Sequence, residues 1–262
     1  MKILLIVEGE KTEPVFFQHM MNVYGVDAEI VMIGTNLYAL YDRMKEYHFE
    51  CDVRDVLKEI QKPNLDGALL EQRFTYTYLV YDSDLQHTPI DQRNNKPSIN
   101  KLTTENLPKL KEMVCYFTNE TDPAIGRLYI NYPMMESYRF CDCFNDEAFL
   151  SARIEIAQMH EFKKLAAQKR LSGIAVKTYT KDNFADLIRL NIRKLHSMYI
   201  SAPYSLPTYR EYMDESTAEH IFQKQHDLVN SAHVLSVLNS SLFIILDYFE
   251  NRNGFYDQMI GG

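Results

Sequence analysis

Short unbroken apolar runs alternate with longer amphipathic stretches along the chain. Two of the runs, Ile3–Val7 and Tyr76–Tyr81, end directly in acidic residues. Runs of this length, rich in β-branched and aromatic residues, read as strands buried on both faces of an α/β sheet. Between them, Glu13-Pro14 opens a helix to about Tyr24, because Pro suits the first helical position. Phe16, Phe17, Met20 and Met21 fall on its inner face, and Gly25 supplies the stop. Ala28–Ile33 reads as a second strand closed by Gly34. Residues Asn36–Gln61 read as helical with a break near His48–Asp52, and Lys62–Gly67 as a turn cluster. Gln86–Lys101 is the longest stretch without apolar period; it is expected to border or cover whatever site the strand ends form. A helix from about Thr103 to Phe117, carrying Pro108, and a strand at Arg127–Asn131 follow. Strand and helix in that rhythm imply right-handed βαβ units and a mostly parallel sheet. Beyond Asn145 the pattern turns helical. Asn145-Asp146-Glu147 caps a helix to about Leu171, and Lys181 starts another with Phe184, Leu187, Ile188 and Ile192 at helical spacing. Pro203 and Pro207 break the chain, and Ser216–Asn251 reads as one long helix. The expected fold is α/β, with a sheet domain over residues 1–144 and a mainly α-helical domain over 145–262.

A hydrophobic fraction of 46% supports a sizeable core. The net charge of −8 argues against a generally adhesive nucleic-acid binder and leaves room for a local basic surface. One such segment exists. Lys163, Lys164, Lys169, Arg170, Lys177, Lys181, Arg189, Arg193 and Lys194 are opposed only by Asp182 and Asp186. Clusters of this kind bind nucleic-acid backbones, and equally form solvated helix faces. Cys51, Cys115, Cys141 and Cys143 show no paired CxxC spacing and read as buried or half-buried thiols of a reducing cytoplasm. His226 and His233 share a helical face but stand two turns apart, a poor zinc spacing. No signal-peptide pattern is read at the N-terminus, and Val234–Phe249, the most apolar late stretch, is shorter than a membrane span and reads as a buried helix.

The candidate chemistry lies where the strands stop. Ligands of open α/β sheets bind beyond the carboxyl ends of the strands. Glu8 follows the first run; Asp82 and Asp84 follow the second. Carboxylates gathered there repel unless they are protonated or bridged by a cation. Positions i and i+2 of an extended chain point the same way, so Asp82 and Asp84 are expected to share one ion or bind two adjacent ones. An all-oxygen donor set suits Mg²⁺ or Mn²⁺ and phosphate substrates. The competing structural readings are a plain strand-to-helix turn at Glu8-Gly9, aspartates that merely cap a loop, and a Glu13 favoured by the dipole of its own helix.

Glu8-Gly9 after one strand and Asp82-x-Asp84 after a later one resemble the Toprim domain of topoisomerases, bacterial primases and OLD-type nucleases. The string VEGEKTEP, Val7–Pro14, resembles the RloB family, a Toprim-like group linked to bacterial restriction and phage defence. Asn131–Glu136 resembles that group's later segment, with Asn131 in place of a Ser and Tyr138 at a Trp-like position. The resemblance covers about residues 1–145. It implies a metal-dependent nuclease cleaving DNA or RNA. Glu8 would be acid/base or metal ligand, Asp82 and Asp84 metal ligands, Glu13 and Glu136 supporting ligands, and Lys11 a phosphate contact. Lys169, Arg170, Arg189 and Arg193 would carry the nucleic-acid track. Without a P-loop pattern, any ATPase would be a separate partner subunit; a homo-oligomer is compatible with this reading. Two rival readings stay open: a Toprim strand- or nucleotidyl-transfer enzyme, and a non-catalytic nucleic-acid-binding or assembly subunit.

Overall fold

The computed structural model describes residues 2–60, 67–88, 97–200, 205–250 and 254–260. Residues 62–66 of the turn cluster, 89–96 of the polar stretch, and Pro203 lie outside that set. Strand β1 (Lys2–Val7) leads to helix α1 (Thr12–Tyr24), β2 (Asp27–Met32), α2 (Leu37–Glu46), α3 (Val53–Ile60) and the short α4 (Gly67–Leu70). Next come β3 (Tyr76–Asp82), α5 (Ile99–Tyr116), β4 (Thr118–Asn119) and β5 (Gly126–Tyr132). The later chain forms β6 (Arg153–Glu155), α6 (Phe162–Ala167), α7 (Lys181–His196), α8 (Tyr209–Glu215), α9 (Ala218–Ala232), β7 (Val234–Ser236), β8 (Leu238–Asn239), α10 (Ile244–Tyr248) and α11 (Phe255–Ile260).

The main sheet has the order β2-β1-β3-β5-β4, with β8 also paired to β5. β2, β1, β3 and β5 are mutually parallel, while β4 and β8 run antiparallel to β5. The fold is thus α/β, a mostly parallel mixed sheet flanked by helices. Its central strands are apolar throughout because both faces are covered: Ile3–Val7 and Tyr78–Tyr81 are all buried. Helix α1 buries Phe16, Phe17, Met20 and Met21, as its periodicity predicts, and Gly25 ends it in the left-handed conformation. Phe16 packs on Tyr138 and on Phe184 of α7, with ring centroids 4.5 and 5.6 Å apart. Phe184, Leu187, Ile188 and Ile192 all face that core. The strand order places a topological switch point between β1 and β3, since the chain leaves β1 in one direction and returns to its other side.

Three expected helices are corrected. The helix expected from Thr103 begins at Ile99, because Ser98 accepts a hydrogen bond from the Lys101 amide and caps it. The helix expected over 145–171 is absent. Asp146 does cap a turn, Glu147–Ser151, but Arg153–Glu155 then pairs antiparallel with Val234–Ser236, and only Phe162–Ala167 is α-helical. Ile154 and Ile156 are buried on either side of an exposed Glu155, a period of two that belongs to a strand. The helix expected over 216–251 stops at His233, which takes a positive φ of 55°. The chain beyond it becomes β7, β8, the turn Ser240–Phe243 and α10. Of the cysteines, Cys141 is buried and Cys51 half-buried, but Cys115 and Cys143 are exposed. Among the described residues, no helix is long and apolar enough to cross a membrane.

Candidate metal and phosphate site

Val7 of β1 lies opposite Val80 of β3 in parallel register, so the residues after them emerge at the same edge of the sheet, at the switch point. The Asp82 amide donates to Glu8 Oε2 at 3.2 Å. The Met135 amide donates to Asp82 Oδ1 at 2.7 Å, which brings in the turn Met135–Arg139 and with it Glu136. The Ser83 hydroxyl donates to the Pro133 carbonyl at 3.0 Å and closes the same junction.

Glu13 stands in the first turn of α1 and its carboxylate folds back over Gly9. A Cβ at position 9 would lie 1.8 Å from Glu13 Oε2, so only glycine permits this approach. Glu136 is buried beside Glu13. Its Oε1 is 3.8 Å from Arg139 and 3.9 Å from Lys163, and its Oε2 has no hydrogen-bond partner among the described residues. Asp84 takes a positive φ of 35°, so the extended alternation expected for Asp82 and Asp84 does not carry through. Asp82 meets the Met135 amide, whereas Asp84 accepts from Gln86 Nε2 at 2.6 Å and lies 3.9 Å from His87. His87 stacks on Tyr38 and contacts Asn36 at 3.2 Å, and Asn106 on α5 donates to the carbonyls of Leu85 and His87. The segment after β3 is thereby pinned between α2 and α5.

An open groove of about 480 Å³ is lined by Glu8, Glu13 and Asp84 together with Lys11, Thr12 and Lys163. Its carboxylates are poorly compensated. Burial pushes the Glu8 carboxyl up to about 8; the Asp82 amide opposes this, while the Asp84 and Glu13 charges add to it. Asp82 is raised well above the usual carboxylate range, by burial first and then by Glu8, Glu13 and Glu136. Glu13 is raised by burial and by Glu136, with Lys163 pulling the other way.

The donor chemistry fits a hard divalent cation: the groups are carboxylates only, their charge is unbalanced, and one buried oxygen of Glu136 is unpartnered. Among the described residues, however, no three His, Cys, Asp or Glu side chains stand close enough to form a ready-made metal set. An ion would have to draw these carboxylates together.

The predicted basic track divides. Lys169 lies 3.5 Å from Asp142, whose other oxygen accepts the Arg170 amide at 2.9 Å. Arg189 pairs with Asp186 at 2.5 Å and donates to the Met259 carbonyl, and Arg193 forks onto Glu147 at 2.6 and 3.0 Å. None of these four lines the groove; Lys11 and Lys163 do. Lys163 was visible in the sequence as part of the basic segment, but nothing there placed it beside Glu8. Asn239 was missed altogether. It is fully buried, donates to the Met135 carbonyl and the Ser137 hydroxyl at 3.1 Å each, and accepts from the Ser241 hydroxyl at 2.7 Å. It holds the turn that carries Glu136. Its signal was the polar triplet Asn239-Ser240-Ser241 inside an otherwise apolar stretch.

Fold and site together define an α/β protein with an acidic crevice at the switch point of its sheet. Comparison with protein-family models, with curated proteins and with solved structures gives no match to this chain.

Proposed function

We propose that this chain is a metal-dependent phosphodiesterase acting on DNA or RNA, in the restriction-linked or phage-defence setting that the RloB resemblance implies. The observation that carries the reading is the junction of Glu8 and Asp82 at the carboxyl ends of adjacent parallel strands, with Glu13 and Glu136 beside them. Glu8, Asp82 and Asp84 would hold Mg²⁺ or Mn²⁺, with Glu13 and Glu136 in support. When bound, the ion supplies Lewis acidity toward a phosphodiester and offsets the charge that develops on it. Lys11 and Lys163 line the same groove, where they would bind and orient the phosphate backbone. Burial raises the Glu8 carboxyl, so at neutral pH a proton and a cation would compete for it, and binding of the ion would release the proton into the groove.

Calorimetric titration of Mn²⁺ and cleavage of labelled single- and double-stranded DNA and RNA test this. Wild type should bind Mn²⁺ and cleave. Asp82→Asn, which keeps an acceptor for the Met135 amide, should remain folded and do neither. Equal cleavage by wild type and Asp82→Asn would overturn the reading. The rival, a nucleic-acid-binding subunit without catalysis, is favoured by the lack of a ready-made three-ligand set among the described residues. It predicts nucleic-acid binding that depends on Lys11 and Lys163, with no Mn²⁺ uptake.

A further inference from the structure

We propose that a second cavity, between α7, α9 and the β6–β7 pair, binds a phosphorylated small molecule of about mononucleotide size. The cavity holds about 370 Å³, within the usual range for small-ligand sites, and shares no lining residue with the acidic groove. Arg153, Lys194 and Lys224 line it, against the single carboxylate of Asp227, which is already hydrogen-bonded by Gln223 at 2.8 Å. In a chain of net charge −8 this is a local inversion of sign.

The three cations have different duties. Lys194 is buried in the floor, and its ammonium is held by the carbonyls of Phe149, Leu150 and Ala152 at 3.0, 3.0 and 2.5 Å. Burial, and then the neighbouring Arg153 charge, push its pKa down to about 7, so the floor is only partly charged at neutral pH and an anion above it would draw the proton on. Arg153 is exposed at the mouth, and Lys224 is half-buried with its ammonium over the Tyr199 ring at 4.6 Å. Neither has a carboxylate partner within ion-pair distance among the described residues. Cations that outnumber the one carboxylate beside them repel one another, and a bound dianion removes that penalty while accepting several N–H donors at once. Leu150, Met198 and Leu228 supply the apolar part of a mostly polar lining, against which the body that carries the phosphate can rest. The frame is rigid: Gln225, buried on α9, exchanges two hydrogen bonds of 2.9 Å with the Ser236 backbone and locks α9 onto β7. A mononucleotide suits such a lining, since its phosphate meets the cations, its sugar hydroxyls the serines and its base the apolar side chains.

The test is calorimetric titration of the full chain with inorganic phosphate, with nucleoside monophosphates and with the parent nucleosides. Wild type should bind a monophosphate saturably, and the nucleosides should not bind. Arg153→Ala/Lys224→Ala should weaken binding at least about tenfold with unchanged circular dichroism, since neither side chain is buried. Lys11→Ala/Lys163→Ala should bind as wild type, which separates this cavity from the groove, and Asp82→Asn should do the same. The inference is overturned by absence of saturable binding up to about 10 mM, by equal binding of nucleosides, by unchanged affinity in the Arg153/Lys224 variant, or by loss of binding in the Lys11/Lys163 variant.

Discussion

Replacing Glu8 by Gln removes a charge that the folded chain carries at a cost. Its carboxyl is raised from the ordinary 4.5 to about 8. Between those two values the folded state binds more protons than the unfolded chain, so the stability of the wild type falls as pH rises through that window. At about 1.4 kcal/mol per pH unit the full cost of ionising Glu8 is at most about 5 kcal/mol. Relaxation of the groove and entry of water leave about 2–3 kcal/mol of it. Glutamine keeps an acceptor for the Asp82 amide and brings no charge. Glu8→Gln should therefore match the wild type near pH 5 and exceed it by about 2–3 kcal/mol at pH 8.5, which is about 5–10 °C in Tm for a chain of this size. Asp82 is raised in the same direction, so the variant should retain a shallower slope of its own. A divalent cation that binds the folded site should restore the wild type at pH 8.5, by about 2.7 kcal/mol at a hundredfold excess over Kd, and should do little for the variant. Thermal unfolding from pH 5 to 8.5, with and without Mg²⁺, measures all of this. Melting curves of the two proteins that run parallel across the range would refute the reasoning.

Gly9→Ala places a methyl against the Glu13 carboxylate; cation affinity by titration should fall about tenfold while Tm moves only a few degrees. Asn239→Ala leaves the Met135 carbonyl and the Ser137 and Ser241 hydroxyls without their partner, and urea unfolding should show a loss of about 3 kcal/mol. Asp247→Asn removes the charge that faces Arg127 at 3.2 Å and leaves one oxygen to accept from the hydroxyls of Tyr129 and Tyr212, both of which donate to the carboxylate. Chemical unfolding should show a loss of about 2 kcal/mol, because half-buried Arg127 then keeps only its longer contact with Glu120 at 3.9 Å.

Strands β1 and β3 were legible because each is a nearly continuous apolar run closed by a sharp polar stop, and parallel pairing then puts the two stops at one edge. That logic alone brings Glu8 to Asp82. It fails where an element is defined by a partner far along the chain. Arg153–Glu155 and Val234–Ser236 are too short for their period of two to stand out, and each becomes a strand only by meeting the other. Leu238–Asn239 sits in an apolar stretch that also suits a helix, and its pairing with β5 is what decides. The site follows the same division. Residues placed by β1 and β3 could be read, whereas Lys163 at the groove and Asn239 behind Glu136 depend on how later segments pack. The left-handed turn at Asp84 had no signature beyond the tolerance of Asp for that conformation.

The pairing of Leu238–Asn239 with the carboxyl end of β5 sets a timetable for the working groove. Glu8, Asp82 and Glu136 are made early, but the side chain that steadies the Met135–Ser137 turn leaves the ribosome roughly a hundred residues after Glu136, a delay of about 5–20 s at ordinary elongation rates. During that interval the sheet can form while the turn bearing Glu136 lacks its anchor. The turn that carries Glu136 is thus completed only when Leu238–Asn239 pairs with the carboxyl end of β5, so the acidic crevice is the last part of the sheet edge to be fixed.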